Sequence, residues 1–152
     1  LVRLYSLDFG WRNRARLEDA VGQLKFDSAL IPFVKRLDEA KLVIVDNCQT
    51  AFLESMVRNR PTILFYDPVL WSMNEFAKGI LDQLIDVNIL HFDPIAAARH
   101  ATSIIEKPED WWGQENVQSK RREFIDALLV LEENWTSLWK RTILKHLSDV
   151  LG

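Results

Sequence analysis

The feature that most constrains the fold is a short apolar run that ends at a polar turn and is followed at once by a helical pattern. Residues 42–46 are apolar and β-branched up to a final aspartate, and the run is too short for a helix, so it is predicted to be a buried strand. After the polar residues 47–49, a helical pattern begins. Its apolar side chains share one face: Phe52, Leu53, Met56 and Val57. A helix that starts beyond the end of a strand presents unpaired N–H groups and the positive end of its dipole there, which predicts an anion site with phosphate as the expected ligand.

The alternation of short strands and helices continues along the chain. Strands are predicted at residues 1–5, 24–26, 42–46, 62–66 and 89–92. Besides the helix that follows residue 49, helices are predicted at about 17–21, 32–40, 72–86 and 94–106. This alternation is typical of βαβ units and a parallel sheet. The fold class predicted is α/β, with a Rossmann-like, doubly wound parallel sheet and a long C-terminal helix.

The C-terminal part of the chain differs from the rest. Residues 108–113 indicate a turn or short helix, and a long amphipathic helix is predicted over about 117–147. Its apolar stripe consists of Phe124, Leu128, Leu131, Trp135, Leu138, Trp139, Ile143 and Leu147. Trp111 and Trp112 are interpreted as packing residues against this final helix. We therefore predict a Rossmann-like domain over residues 1–107 and a Trp-rich helical segment over 108–152 that packs on the same domain.

Composition excludes several classes of protein. A net charge of −3 gives no basic surface for nucleic acid. A single cysteine excludes an internal disulfide and, with three scattered histidines, a Cys/His zinc cluster. No apolar run approaches the roughly 20 residues that span a bilayer, and no signal peptide opens the chain, so a cytoplasmic location is predicted. The chain starts at Leu1 inside an apolar run, which predicts that it is a piece of a longer protein.

Candidate ligand-binding residues follow from the turn after residue 46. In an open parallel sheet, ligands bind beyond the carboxyl ends of the strands. The turn supplies backbone amides, the Thr50 hydroxyl and a donor on Gln49, with Asn47 beside them. Glu54 lies one helical turn beyond Thr50 and could accept hydrogen bonds from a ribose diol. The alternative is that Thr50 only caps the helix and Glu54 only complements its dipole.

A second candidate region lies near the N-terminus. Gly10 gives the turn there access to an unusual backbone angle. Arg12, Arg14 and Arg16 follow close together, and guanidinium groups match phosphate oxygens, so they are candidates to neutralise a diphosphate. The alternative is an ordinary solvated charged face.

Other chemistry is less well supported by the sequence. His91 and His100 are interpreted as structural or surface residues rather than a catalytic base. Cys48 has no histidine near it in the sequence, which argues against a nucleophile. Asp46 ends a strand and could be the phospho-accepting residue of a receiver domain. Such a domain needs an acidic pair at the end of its first strand, and only Asp8 lies near that position.

Two stretches carry a family resemblance. Residues 45–55 and 59–68 resemble the C-terminal part of the transferases of bacterial surface-carbohydrate biosynthesis, which have the two-domain GT-B glycosyltransferase fold. Shorter agreements occur in the same order at Tyr5 and at residues 9–11, 26–27, 89–91, 108–112 and 134–135. The resemblance covers nearly the whole chain. It implies that the chain is the second Rossmann-like half of a longer protein, the half that binds the nucleotide-sugar donor.

The resemblance also implies roles for individual residues. In such enzymes the turn after the central strand holds the diphosphate and a glutamate on the next helix holds the ribose, roles that fall on Gln49, Thr50 and Glu54. The family pattern has a Pro-Ser-Thr-Thr run before Phe-Leu-Glu, whereas this chain has residues 48–51 as Cys-Gln-Thr-Ala, so two hydroxyls are missing and the backbone amides remain. The predicted substrate-binding residues are Asn47, Gln49, Thr50, Glu54, Gly10, Trp11 and Arg12.

The function implied by the resemblance is transfer of a sugar from a nucleotide-activated donor to a surface polysaccharide or lipopolysaccharide acceptor. No DxD-like acidic pair stands out, so no metal or other cofactor is expected, and the leaving diphosphate would be stabilised by amides and arginine. The catalytic base would come from the missing N-terminal domain, so this fragment alone is expected to be inactive. The full-length protein would associate with the inner membrane peripherally. The alternatives are a non-catalytic Rossmann-like nucleotide-binding or regulatory module and an interaction domain that uses the Trp-rich tail.

Overall fold

The computed structural model describes residues 1–129 and 133–151 of the chain. Three strands occur in this part: β1 (Val43–Val45), β2 (Thr62–Phe65) and β3 (Leu90–His91). The helices before the third strand are α1 (Asn13–Val21), α2 (Phe33–Glu39), α3 (Thr50–Val57) and α4 (Glu75–Asp82). The helices after it are α5 (Pro94–Ile104), α6 (Pro108–Trp112), α7 (Glu115–Leu128) and α8 (Trp135–Leu151).

The three strands form a parallel sheet in the order β1-β2-β3. Val43 lies opposite Thr62, and Leu64 lies opposite Leu90. Helix α3 connects β1 to β2 and α4 lies between β2 and β3, so the chain from β1 to β3 consists of two successive βαβ units. Strand β2 is in the middle, with its first three residues fully buried. The predicted α/β class with a parallel sheet is therefore confirmed for this part of the chain.

The predicted strands at residues 1–5 and 24–26 do not join the sheet. They make a single parallel bridge between Val2 and Phe26, with hydrogen bonds from the Val2 amide to the Lys25 carbonyl and from the Asp27 amide to the Val2 carbonyl. A complete doubly wound sheet is thus not formed in the described structure. The apolar pattern of this segment was misleading because its side chains find little to pack against: Leu1 and Tyr5 are both 75% exposed.

The N-terminal segment is joined to the remainder of the molecule by ion pairs. The Asp27 carboxylate, with a side chain only 1% exposed, accepts hydrogen bonds from Arg3 at 2.8 Å and from Arg36 of α2 at 3.2 and 3.3 Å. Burial alone would raise the pKa of Asp27, but the hydrogen bonds and charge of Arg36, and then of Arg3, hold that pKa below its ordinary value. Helix α1 itself buries no residue.

The core lies between the sheet and the helices that follow each strand. Helix α3 packs on β1 and β2, α5 packs on β2 and β3, and α7 packs against both α3 and α4. The Phe52 and Phe124 rings meet edge to face at 5.3 Å, which joins α3 to α7. The largest fully buried side chains are Phe52, Phe124, Leu37, Met56, Ile63, Leu64, Leu81, Leu84, Ile89, Leu90 and Val117.

Three helices differ from their predicted bounds. Helix α1 begins at Asn13, four residues before the predicted start near residue 17. Helix α4 begins at Glu75 rather than near residue 72, because the Asn74 side chain accepts a 2.8 Å hydrogen bond from the Ala77 amide and caps the helix there. The long helix predicted over 117–147 is two helices, since Leu129 is extended after the end of α7 and α8 begins at Trp135. Leu131 of the predicted stripe lies outside the described residues. The apolar residues keep helical spacing in both α7 and α8, so the sequence pattern alone does not show that α7 ends at Leu128.

The tryptophans of α6 lie in the core. The Trp111 indole donates to the Val87 carbonyl at 3.1 Å, and the Trp112 indole donates to the Asn59 side chain at 2.8 Å. Helix α6 also packs against α7. Residues 108–128 therefore share one core with the sheet. None of the helices in the described ranges is both long and apolar enough to cross a membrane.

Candidate functional site

The carboxyl ends of all three strands lie at one edge of the sheet because the strands are parallel. Strand β1 ends at Val45, β2 at Phe65 and β3 at His91, and the chain leaves each strand in a polar or aromatic turn. Open parallel sheets bind ligands at this edge. The predicted turn at residues 46–49 occupies it, directly before α3.

The first turn of α3 has free backbone donors. Gln49 precedes the helix with extended backbone and makes no side-chain cap. The first hydrogen bond of the helix runs from the Leu53 amide to the Gln49 carbonyl at 3.1 Å. Among the described residues, the N–H groups of Thr50, Ala51 and Phe52 have no acceptor. Thr50 does not cap α3, so that part of the alternative interpretation is wrong, and three donors remain for an external anion.

Glu54 lies in the second turn of the same helix. Its side chain is half-buried, and its Oε2 atom is out of contact with solvent without a hydrogen-bond partner in the described part of the chain. A buried, unpaired carboxylate oxygen calls for an explanation, since most buried polar atoms are hydrogen-bonded. A rotation of the side chain that exposes this oxygen would let it accept a hydrogen bond from a ligand hydroxyl.

Sulfur and aromatic side chains line the sheet edge next to α3. Cys48 is half-buried against the core, and burial raises the pKa of its thiol to about 11, so the thiol is protonated at neutral pH and a poor nucleophile. Tyr66, at the end of β2, is buried and meets Phe92 edge to face at 5.4 Å. Burial, and then the nearby Cys48 and Asp82, raise the pKa of Tyr66. Tyr66 was not among the residues predicted from sequence to bind a ligand. Its position at the carboxyl end of a predicted strand was the sequence feature that could have indicated it.

The aspartates at this edge serve their own turns. Asp46 accepts from the Asn47 side chain at 2.9 Å, Asp67 accepts from the Val69 amide at 2.8 Å, and Asp93 caps α5 through the Ile95 amide at 2.9 Å. Within the described ranges, no group of three or more histidine, cysteine, aspartate or glutamate side chains is arranged to hold a metal ion.

The second predicted region is a loop organised by Asp8. Its Oδ1 atom accepts hydrogen bonds from the Gly10 amide at 3.0 Å and the Arg12 amide at 3.3 Å. Gly10 has φ of +85° and Arg12 has φ of +52°. The left-handed region favours glycine, as the sequence predicted for Gly10, whereas at Arg12 it carries strain. The Asp8 carboxylate offsets this strain by holding both amides.

Three aromatic rings on this loop face solvent. Tyr5 and Phe9 stack with centroids 6.1 Å apart, and Phe9 lies 5.5 Å from Trp11. All three side chains are well exposed. The loop therefore presents flat aromatic faces on which a ring-shaped ligand could stack.

The three arginines of this region differ in their surroundings. Arg14 donates to Glu18 at 3.3 Å and lies over the Phe26 ring at 4.6 Å. Arg12 and Arg16 are exposed, and neither forms an ion pair with another described residue. Arg12 and Arg16 are therefore the members of the trio that a ligand could engage.

The structure thus gathers the predicted site residues into two groups. Asn47, Gln49, Thr50 and Glu54 lie at the start of α3, and residues 10–12 lie in the N-terminal loop. No hydrogen bond or ion pair between described residues joins the two groups directly. The Asp27 ion pairs link the N-terminal segment to α2, and α2 packs on α3.

Two surface depressions lie away from the start of α3. One, of about 550 Å³, is lined by Pro94, Ile95, Ala98, Arg99, Thr102 and Ser103 along α5. The other, of about 520 Å³, is lined by Glu18, Gly22, Gln23, Leu24 and Lys25. Both are open to solvent, and neither includes the start of α3.

The two histidines near the sheet form part of the packing. The His91 and His100 rings are 5.6 Å apart, and His100 lies edge-on to Trp111 at 4.8 Å. Burial lowers the pKa of both histidines; the Asn88 carbonyl and Asp93 partly oppose this at His91, and at His100 the charge of His91 adds to it. This arrangement supports the structural interpretation of both residues.

These features define an α/β protein whose parallel sheet ends beside the free N-terminus of a helix. Residues 1–143 match the family model of the LIC12162 family transferases, and the chain therefore belongs to this family. No curated protein and no solved structure matches the chain significantly. The expectation of a transferase is confirmed at the level of the family.

Proposed function

We propose that this chain is the donor-binding half of a GT-B type glycosyltransferase and that it binds a nucleotide-activated sugar for transfer to a surface polysaccharide or lipopolysaccharide. The observation that carries the proposal is the uncapped first turn of α3 at the carboxyl edge of the sheet, in a chain that belongs to a transferase family. That edge is where parallel α/β sheets bind nucleotides.

The diphosphate is assigned to the start of α3. The N–H groups of Thr50, Ala51 and Phe52 donate to its oxygens, and the exposed Gln49 side chain and Asn47 add donors from the turn. The leaving diphosphate gains negative charge as the sugar departs, and donors that are already oriented stabilise this charge most in the transition state. In the proposal this stabilisation comes from the helix and from arginine, without a bound metal.

Glu54 is assigned to the ribose. The Glu54 carboxylate turns towards the ligand and accepts a hydrogen bond from a ribose hydroxyl, which satisfies the Oε2 atom that is buried and unpaired in the described chain. Thr50 and Glu54 are four residues apart on α3 and therefore lie on one side of the helix, so a nucleoside diphosphate can reach both.

The N-terminal loop supplies a second set of contacts. Trp11 offers an aromatic face for the ring of the base. The exposed Arg12 offers a guanidinium for a phosphate. Gly10 adopts the positive φ that the loop before α1 requires. The left-handed backbone of Arg12, held by Asp8, fixes the direction in which this side chain leaves the loop.

A matched pair of variants at Thr50 tests the diphosphate site. Thr50→Pro removes the Thr50 amide donor together with the hydroxyl and should keep the helix, because proline suits the first position of a helix and Gln49 already has the extended backbone that precedes proline. Thr50→Ala removes the hydroxyl and keeps the amide. In calorimetric titrations with inorganic pyrophosphate and with uridine, guanosine and cytidine diphosphates in the presence of a chelator, Thr50→Pro should weaken binding about tenfold or more. Thr50→Ala should change it much less.

Glu54→Gln separates ribose binding from phosphate binding. This variant should weaken binding of the preferred nucleoside diphosphate but leave pyrophosphate binding unchanged. Equal binding of pyrophosphate by wild type and Thr50→Pro would contradict the role of the helix amides. Binding of mononucleotides alone, without nucleotide sugars, would instead favour the regulatory module.

A further inference from the structure

The side chain of Tyr66 is buried, but its hydroxyl is not used in the packing of the domain. Tyr66 is only 7% exposed, and its ring packs edge to face on Phe92 with 5.4 Å between the ring centroids. Among the described residues, no group forms a hydrogen bond with the phenol oxygen, and this oxygen keeps some contact with solvent. Buried tyrosine hydroxyls usually have a hydrogen-bond partner in the protein. The Tyr66 hydroxyl is therefore a donor that a ligand can use.

Tyr66 lies at the edge of the sheet where α3 begins. It directly follows β2, the middle strand. In the register of β1 and β2, Val45 pairs with Leu64, so Tyr66 lies two residues beyond this pair, while the chain after Val45 enters the turn to α3. Adjacent strands are about 4.8 Å apart. Helix α3 packs on both strands, so its first turn and the end of β2 are neighbours.

Cys48 connects Tyr66 to the turn before α3. It lies two residues before Thr50 and packs against the same core that contains Tyr66. Burial, and then the charges of Cys48 and Asp82, raise the pKa of Tyr66, so its phenol keeps its proton at neutral pH and can donate a hydrogen bond. The influence of Cys48 also shows that the thiol and the phenol are close in space. The Tyr66 donor is therefore beside the first turn of α3.

We propose that the Tyr66 hydroxyl donates a hydrogen bond to the phosphate group that binds at the start of α3. An anion is the fitting partner, because the N–H groups of Thr50, Ala51 and Phe52 already favour negative charge there. A hydrogen bond to a charged acceptor is also stronger than one to a neutral acceptor. This inference rests on the proposed binding of a diphosphate at α3, and it adds a donor from the neighbouring strand.

Tyr66→Phe tests the inference because it removes the hydroxyl and keeps the ring that packs on Phe92. In calorimetric titrations with inorganic pyrophosphate in the presence of a chelator, Tyr66→Phe should bind about tenfold more weakly than the wild type. The same factor should apply to the nucleoside diphosphate that binds best, whereas Glu54→Gln should affect only the nucleoside diphosphate. The urea midpoint of Tyr66→Phe should equal that of the wild type, because the hydroxyl has no partner to lose in the described structure.

Nuclear magnetic resonance shows directly whether pyrophosphate reaches this side chain. The chain has two tyrosines, so protein with ring-labelled tyrosine gives two signals, and Tyr66→Phe identifies the signal of Tyr66 by its loss. This signal should shift on addition of pyrophosphate, in step with the heat of binding. A Tyr66 signal that does not move at saturating pyrophosphate would overturn the inference.

The titrations distinguish failure of this inference from failure of the proposed function. Equal binding of pyrophosphate by the wild type and Tyr66→Phe, with weaker binding by Thr50→Pro, would overturn the role of Tyr66 and leave the diphosphate site intact. A urea midpoint that falls together with binding would also overturn it, since the hydroxyl would then be structural. If the wild type bound neither pyrophosphate nor any nucleoside diphosphate, the proposed function would be wrong, and this inference with it.

Discussion

The indole N–H of Trp112 donates a 2.8 Å hydrogen bond to the side-chain oxygen of Asn59, which lies 53 residues earlier in the chain. Asn59 has φ of +54°, a left-handed conformation that asparagine tolerates better than most residues. The bond ties α6 to the turn between α3 and β2. It therefore holds the C-terminal helices against the helix that presents the candidate phosphate site.

Removing the donor of this bond should lower stability modestly. Trp112→Phe keeps a large buried ring and loses the N–H, so we expect the free energy of unfolding in urea to fall by about 1 kcal/mol, whereas Trp112→Ala should cost about 3–5 kcal/mol through the cavity it leaves. At the acceptor, Asn59→Ala loses the bond and places a less tolerant residue at positive φ. Asn59→Gly loses the bond without that strain and should be the milder change. If Trp112→Phe and Asn59→Ala both matched wild type, the bond would contribute nothing.

The Asp27 ion pairs should make the N-terminal segment sensitive to acid. The folded-state pKa of Asp27 is lower than the ordinary 3.8, so the stability it adds is present above about pH 4 and is lost as the pH falls through the folded value. Asp27→Asn should speed hydrogen exchange of the Val2 and Asp27 amides several-fold at neutral pH and leave the Leu64 amide of β2 unchanged. Glu39→Gln, which removes only the other partner of Arg36, is the control. If Asp27→Asn instead speeded hydrogen exchange equally at amides across the sheet, the N-terminal segment would not be stabilised independently of the sheet.

The His91–His100 pair should make the whole domain less stable in mild acid. Both folded-state pKa values lie below 6.5, so the unfolded chain binds more protons in this range. Stability is therefore fully present above about pH 6.5 and declines as the pH falls towards the folded values. His100→Phe should flatten the decline of the urea midpoint between about pH 7 and 5, and the Nε2 atom it removes has no partner in the described structure to lose. His146→Asn, at an exposed site on α8, should leave the decline unchanged. An unaltered slope in His100→Phe would exclude this residue as the cause.

The half-buried thiol of Cys48 should react slowly. A pKa of about 11 instead of 9.0 means that the thiolate is about a hundredfold rarer in the folded protein at pH 8. Labelling with iodoacetamide should therefore be about a hundred times slower in native protein than in urea-unfolded protein at the same pH. Cys48→Ser should take up no label, because the chain has one cysteine. Equal rates in the native and unfolded states would contradict the burial of the thiol.

Local chemistry made the central part of the fold predictable from sequence. The run that ends at Asp46 became β1, and the residues after the turn became α3, because the strand and helix periods are both clear there. The helix predicted from residue 94 also begins there, because Asp93 caps it and Pro94 suits its first position, and a cap depends on only three or four neighbouring residues. The candidate site at the start of α3 follows from the same local pattern.

What the sequence by itself determined about this protein is the βαβ order between Val43 and His91 and the helix terminus at Thr50. Only the tertiary structure decided that Val2 and Phe26 form a lone bridge and that Trp112 reaches Asn59. The physical reason is that an apolar pattern states which side chains gain from burial but not which distant surface is available to bury them. Those partners are fixed by contacts between residues far apart in the chain.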